Sequence, residues 1–272
     1  MKNKKTKPEL TPQEKFVKKH RRYHREITWS RLVIFFLFIG LWECAANLGW
    51  IDSFFFSSPS RILLCLREQV LENSLLSHIG ITFLETVASF LLVIGLGLLT
   101  ATLLWHSRKA SDIIEPYLVI LNSLPKSALA PLFIVWLGTG TTTIIVAGIS
   151  VAIFGCIISL YTGFQQVDGE KITLIYTLGG NRRDAFCKVV LPGSIPIILS
   201  TMKVNIGLAL VGVIIGEFLA ARRGLGYLII YGSQVFQLDM VITSIILLCI
   251  MAFGFYKGIQ YAEHKMKIQL KL

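Results

Sequence analysis

Charge is scarce in this sequence of 272 residues: 16% are Asp, Glu, Lys or Arg, against 54% apolar, and the mean hydropathy is +0.65. A soluble domain carries roughly 25% charged residues, so an ordinary soluble enzyme and a disordered chain are both excluded. The five cysteines, Cys44, Cys65, Cys156, Cys187 and Cys249, are scattered and form no C-x-x-C pair. That excludes a disulfide framework and a zinc site and leaves them as small apolar side chains. No Gly is followed by Lys, so there is no phosphate-binding loop, and no H-E-x-x-H is present. The histidines His20, His24, His78, His106 and His264 fall in tails or at the edges of apolar runs, and no cofactor or metal site is expected from them.

What the sequence does have is long apolar runs. A hydrocarbon layer roughly 30 Å thick needs about twenty apolar helical residues. Six stretches qualify, at about 32–48, 86–105, 116–137, 141–164, 194–219 and 240–256. Lys126 interrupts the third and Lys203 the fifth. The fold expected is all-α and polytopic, with six transmembrane helices.

The distribution of the 27 Lys and Arg sets an orientation. With the N-terminus inside, the inner segments hold 21 of them and the outer segments 4 (Arg61, Arg67, Arg222 and Arg223). Positive charge accumulates on the cytoplasmic side, so both termini and the loop at 165–193 are expected there. This asymmetry accounts for the net charge of +11 without a nucleic-acid partner. The expected organisation is a basic cytoplasmic tail at 1–31, a six-helix membrane domain at 32–260 and a cytoplasmic tail at 261–272. The first thirty residues are too long and too polar for a secretory signal, so the chain is expected to keep its N-terminus. There, Thr11-Pro12-Gln13-Glu14 has the form of a capping box. A short helix on an anionic leaflet and a solvated topology signal both fit.

Lys126 stands between Pro125 and Pro131. Each proline removes a backbone hydrogen bond, so the third span is expected to kink or break, and breaks of this kind line cavities. Pro125, Lys126 and Pro131 are therefore candidates for a translocation path, although Lys126 and Lys203 could also snorkel. Glu43 and Glu217 fall near outer ends, where hydration is expected. Gly212 and Gly216 have the G-x-x-x-G spacing that lets two helix backbones approach.

The loop at 165–193 is too long for a turn and carries its own helical pattern. Two short helices broken at Gly179-Gly180-Asn181 would form an elbow, with Leu191-Pro192 leading into the fifth span. An ordered loop of this length is expected to dock a partner.

Gly179, nine further residues and Val189-Val190-Leu191-Pro192 reproduce the second half of a known motif, the E-A-A loop. The chain thereby resembles the permease subunits of ATP-binding-cassette type I importers, the binding-protein-dependent transport component. Thr173-Leu174-Ile175 stand where Glu-Ala-Ala would be expected. Leu41-Trp42-Glu43, Ser58-Pro59-Ser60, Pro125-Lys126-Ser127-Ala128-Leu129-Ala130-Pro131-Leu132 with Trp136-Leu137-Gly138-Thr139-Gly140, Gly216-Glu217 and Gly224-Leu225-Gly226-Tyr227-Leu228-Ile229 look like the nitrate, sulfonate and taurine branch.

The resemblance implies a non-catalytic subunit in the inner membrane of a prokaryote. Two such subunits would form the pathway for a small anion of the nitrate, sulfonate or taurine kind. Cytoplasmic ATPase subunits would supply energy and an extracytoplasmic binding protein would deliver the solute. Thr177, Leu178, Gly179, Gly180, Asn181, Leu191 and Pro192 would form the ATPase-docking coupling loop. The rival reading is an ion-coupled secondary carrier, which would be expected to show internal repeats and coupling-ion sites. No clear repeat relates 30–137 to 141–256.

Overall fold

A computed structural model describes residues 12–71 and 74–270. The chain divides into two compact units, Met1–Leu63 and Leu64–Leu272.

In the first unit, helix α1 (Pro12–Asn47) runs without a break. It starts at Pro12, whose missing N–H suits a first helical position. Thr11, the capping residue expected there, lies outside the described residues. The apolar part of α1, Arg25–Asn47, is long enough to cross a bilayer, and its large side chains from Leu32 to Phe38 are exposed. A turn leads to the short helix α2 (Ser53–Phe56), whose first amides are capped by Asp52, which accepts from the Phe54 N–H at 2.8 Å. Helix α3 (Pro59–Leu71) follows. Glu43 is not simply hydrated, as its position near a span end suggested. Its carboxylate accepts from the Ser60 N–H at 3.0 Å and the Ser60 hydroxyl at 2.8 Å, so α1 is tied to the start of α3.

The second unit is built on three long helices: α4 (Leu75–His106), α7 (Thr141–Gln165) and α11 (Ile195–Ala220). Around them lie α5 (Arg108–Ser123), α6 (Lys126–Leu137), α8 (Gly169–Thr177), α9 (Arg182–Ala185), α10 (Leu191–Gly193), α12 (Leu225–Gln234) and α13 (Leu238–Leu270). The third span is not one continuous helix. It is the pair α5 and α6, bent by 95°, because Pro125 has no N–H to continue the ladder. Counting the bent pair as one span, six spans are present among the described residues.

Small residues set the spacing at the centre. A Cβ added to Gly212 would lie 2.7 Å from the Gly148 Cα, and one added to Gly216 would lie 2.9 Å from the Ile144 Cα. The backbones of α7 and α11 therefore touch along one side, as the G-x-x-x-G spacing anticipates. Toward the other end of the same helices, Val93, Leu104, Cys156, Leu160, Phe164 and Val190 close a buried apolar cluster. Cys156 acts there as a small apolar group.

Replacing Gly212 by Leu should separate α7 from α11 and destabilise the fold by about 1–3 kcal/mol or more. Gly207→Leu is the control, because the space beside Gly207 is open, and it should leave thermal unfolding in detergent unchanged. Equal unfolding temperatures for the two variants would show that this contact does not hold the bundle.

Candidate functional site

At the end of the bundle where α4 and α7 terminate, the segment between α7 and α11 forms a rigid elbow. Asp168 opens α8 by accepting from the Glu170 N–H at 2.9 Å. The helix closes at Gly179, whose φ of +80° is a left-handed conformation that glycine adopts without penalty. The Gly179 N–H bonds the Tyr176 carbonyl at 3.0 Å and the Gly180 N–H bonds that of Ile175 at 2.9 Å. This is a Schellman ending. A Cβ on Gly180 would stand 2.6 Å from Ile175 Cγ2, so the glycine pair serves both the reversal and the close approach.

Asn181 then opens α9 with a reciprocal capping box. Its side chain accepts from the Asp184 N–H at 2.9 Å, and the Asp184 carboxylate accepts from the Asn181 N–H at 3.1 Å. That backbone hydrogen bond, followed by the Lys188 ammonium, holds the Asp184 carboxyl below the ordinary aspartate range. The cap is thus complete at neutral pH and weakens only as pH falls through the lowered value.

The elbow is fastened to the bundle from below. Arg182 donates to the Trp105 carbonyl at 2.7 Å and lies 5.3 Å from the centroid of the Trp105 ring. Phe186 packs between Trp105 and Phe164, with ring centroids at 5.2 and 5.5 Å. Over Phe186–Val190 the ladder widens to a π-helical turn, in which the Leu191 N–H bonds the Phe186 carbonyl. This widening precedes Pro192, a residue with no N–H for an α-helical bond. Among its charged neighbours the elbow exposes three large apolar side chains: Leu174 is 57% exposed, Tyr176 45% and Leu178 75%.

The α5–α6 corner sits against the middle of α7. Pro125 leaves the Leu121 carbonyl without its usual N–H partner, and the Lys126 ammonium donates to that carbonyl instead. The same ammonium lies 5.1 Å from the centroid of the Phe154 ring. Asn122, Ser123, Pro125 and Ser127 are exposed around the corner, while Lys126 is half-buried. Pro125 and Lys126 come together at the break. Pro131 lies farther along, inside α6.

At the opposite end of the bundle is a polar network that the sequence reading missed. Glu217 is completely buried, not hydrated at a span end. It accepts from the Thr82 hydroxyl at 2.6 Å and from the Gly226 N–H at 2.5 Å. Thr82 in turn accepts from the Leu225 N–H at 2.8 Å, and His78 Nδ1 accepts from the Gly224 N–H at 2.9 Å. Three side chains thus satisfy the first amides of α12, where a helix N-terminus favours negative charge. Gly226 must lack a side chain, since a Cβ would lie 2.7 Å from Glu217 Oε2. Glu85, on the same helix as Thr82, is also buried. One sequence signal could have found this network. Starting the second span at Leu75 would have placed Thr82 and Glu85 inside an apolar helix, where polar groups need partners.

Glu217→Ala should orphan buried donors at the start of α12 and destabilise the protein by about 1–3 kcal/mol. Glu217→Gln, which keeps acceptor capacity, should lose less. Thermal unfolding of both variants checks this order, and wild-type stability of Glu217→Ala would refute it.

Residues 93–261 match a protein family described as the binding-protein-dependent transport system inner membrane component. A chain from Haemophilus influenzae named "Probable ABC transporter permease protein" is 28% identical over 236 residues, covering 86% of this chain and 95% of that one. A Bacillus subtilis chain named for transport of aliphatic sulfonates, SsuC, is 28% identical over 212 residues, covering 78% and 77%. The taurine transport system permease protein TauC of Escherichia coli is 24% identical over 232 residues, covering 83% and 84%. Among solved structures, a chain of the inward-facing MetNI methionine ABC transporter superimposes with a TM-score of 0.62 at 18% identity, covering 74% of this chain and 98% of that chain. That likeness fixes the fold. Together with the apolar spans and the ordered elbow, the match over most of the bundle establishes that this chain belongs to the binding-protein-dependent transport system inner membrane components, the permeases of ABC importers.

Proposed function

We propose that this permease works as one of two copies in a complex with a pair of cytoplasmic ATPase subunits and an extracytoplasmic binding protein. In this reading it imports a small organic or inorganic anion, and the 165–193 elbow is the point at which the ATPase docks. The observation that carries the docking role is the combination of a rigid elbow with an apolar tip. Leu174, Tyr176 and Leu178 are exposed on a segment that also holds Lys171, Arg182, Arg183 and Lys188. Four basic side chains keep such a segment out of hydrocarbon, so its apolar tip needs a protein surface. The same charges support a cytoplasmic placement for the elbow and, with it, for both termini.

Thr177, Leu178, Gly179, Gly180 and Asn181 form the tip and turn of the coupling loop, and Leu191 and Pro192 join it to α11. Closure of the ATPase pair on ATP would draw two elbows together and rock the spans between inward-open and outward-open states. ATP and the delivered solute must bind the two states with different affinities for this to proceed. The substrate class rests on the names of the sulfonate and taurine relatives. The α5–α6 break, with Pro125, Lys126 and Pro131, is the segment of this chain that would border the path.

The test is a pull-down of the tagged chain from its own membrane, comparing wild type with Gly179→Glu. Wild type should retain an ATPase bearing a phosphate-binding loop. The variant, with a charged side chain at the exposed turn, should retain at least about tenfold less, equivalent to about 1.4 kcal/mol of docking free energy, and should lose uptake while still inserting. An ATPase missing from wild type would overturn the permease complex. Full ATPase retention and normal uptake by Gly179→Glu would overturn the docking assignment alone.

A further inference from the structure

The α5–α6 corner carries an inference about what passes it, and that inference rests on the permease reading. Three observations locate the corner. First, its depth: Lys126 stands over Phe154, and the Asn122 side chain lies beside Gly155. Both contacts fall near the middle of α7 (Thr141–Gln165), hence near the middle of the bilayer. Second, its backbone: the chain is non-helical at Leu124–Pro125, and both residues are exposed. Non-helical backbone at that depth is tolerated only inside protein or beside water, because lipid offers no hydrogen bonds. Third, its side chains: Asn122, Ser123 and Ser127 are also exposed. Polar groups at mid-depth do not face lipid. In a complex of two copies the corner meets the second copy or water, and its exposed polar side chains favour a water-filled path between the copies.

The charge that the corner offers this path is positive. Lys126 spends one ammonium donor on the Leu121 carbonyl and keeps two. On α5 itself, Asp112 and Glu115 line a separate pocket with Arg108 and Arg182 at the elbow end. Lys203 is paired with Glu263 across α11 and α13, and Glu85 and Glu217 are closed inside the bundle at 3% and 0% exposure. In a confined space of low dielectric constant, one uncompensated cation attracts anions and repels cations, as basic rings do in anion pores.

We propose that Lys126 contacts the negatively charged group of the passing solute. Lys126 has two functions at one atom. It satisfies the carbonyl that Pro125 orphans, which fixes the ammonium in place, and it offers its remaining donors to the path.

The test does not require the natural solute. Ser127→Cys is introduced at the exposed residue that follows Lys126, and the membrane complex is purified into nanodiscs, where both faces are open to solvent. Two thiol reagents are then compared: anionic 2-sulfonatoethyl methanethiosulfonate and cationic 2-(trimethylammonium)ethyl methanethiosulfonate. Labelling is read at residue 127 by peptide mass, so the native cysteines do not interfere. With Lys126 present, the anionic reagent should react faster once each rate is divided by that reagent's rate with a small thiol in solution. Lys126→Gln keeps a donor for the Leu121 carbonyl but removes the charge, and should lower the anion-to-cation rate ratio at least about tenfold. Lys126→Arg should preserve the ratio.

A cationic reagent as fast as the anionic one in the Ser127→Cys protein, on rates divided by those with a small free thiol, would overturn the proposal, whatever the behaviour of the other variants. So would a residue 127 that neither reagent reaches, or a ratio unmoved by Lys126→Gln. Failure of the permease complex reads differently: wild type would purify without an ATPase, while the reagent ratio at residue 127 would still report on the charge at the corner.

Discussion

Helix α11 runs so close to α7 that a methyl group at Gly212 would strike the Gly148 Cα, and much else in the bundle follows from that contact. In a membrane, apolar surface gains little by leaving lipid for protein, so helices associate through close packing and hydrogen bonds. Glycines at 148, 212 and 216 provide the packing. Because the two backbones touch, their ends are fixed relative to each other. The segment that joins them must therefore turn within a set space, and the Gly179–Gly180 reversal and the widened turn before Pro192 are how it does so.

Lipid imposes a second requirement, that backbone groups be satisfied within the protein. Two exceptions among the described residues are informative because each is met by a named side chain. Lys126 serves the carbonyl that Pro125 orphans. Glu217, Thr82 and His78 serve the first amides of α12. Both repairs use groups that are costly at those positions. They differ in exposure: Glu217 is sealed and is accounted for by architecture, whereas Lys126 is accessible and retains unused donors.

Much of this was legible in the sequence, and the reasons are physical. Span existence follows from hydropathy, and the fourth and fifth spans, expected at 141–164 and 194–219, differ from α7 and α11 by a single residue at each displaced boundary. The elbow was legible because Gly179 and Pro192 constrain the backbone locally, whatever the rest of the chain does. The 95° bend was foreseen as a kink or break but not as an angle, since proline dictates the interruption and packing decides how far the chain turns. The partners of Glu217 and Glu43 could not be read, because hydrogen bonds such as that to Thr82, 135 residues away in sequence, are a property of the assembled bundle.

Helix α11 connects the two ends of this arrangement. It leaves the elbow at Ser194, whose hydroxyl reaches the Gly163 carbonyl of α7 at 3.5 Å, and continues unbroken through Ala220. At 1.5 Å per residue that is a rod of about 39 Å. Three residues before its far end stands Glu217, gripping the start of α12. A rigid rod anchored to the elbow at one end and to a buried carboxylate at the other cannot move at one end alone. Any force applied at Leu178 and Gly179 that shifts α11 must also displace the Gly224–Gly226 segment at the opposite face, or break the hydrogen bonds that Glu217 and Thr82 make there. The glycine contacts with α7 make the first outcome the easier one, because they let α7 and α11 move as a pair. The elbow and the Glu217 network are thus opposite ends of one mechanical element, and the α5–α6 corner, packed on the middle of α7, lies between them.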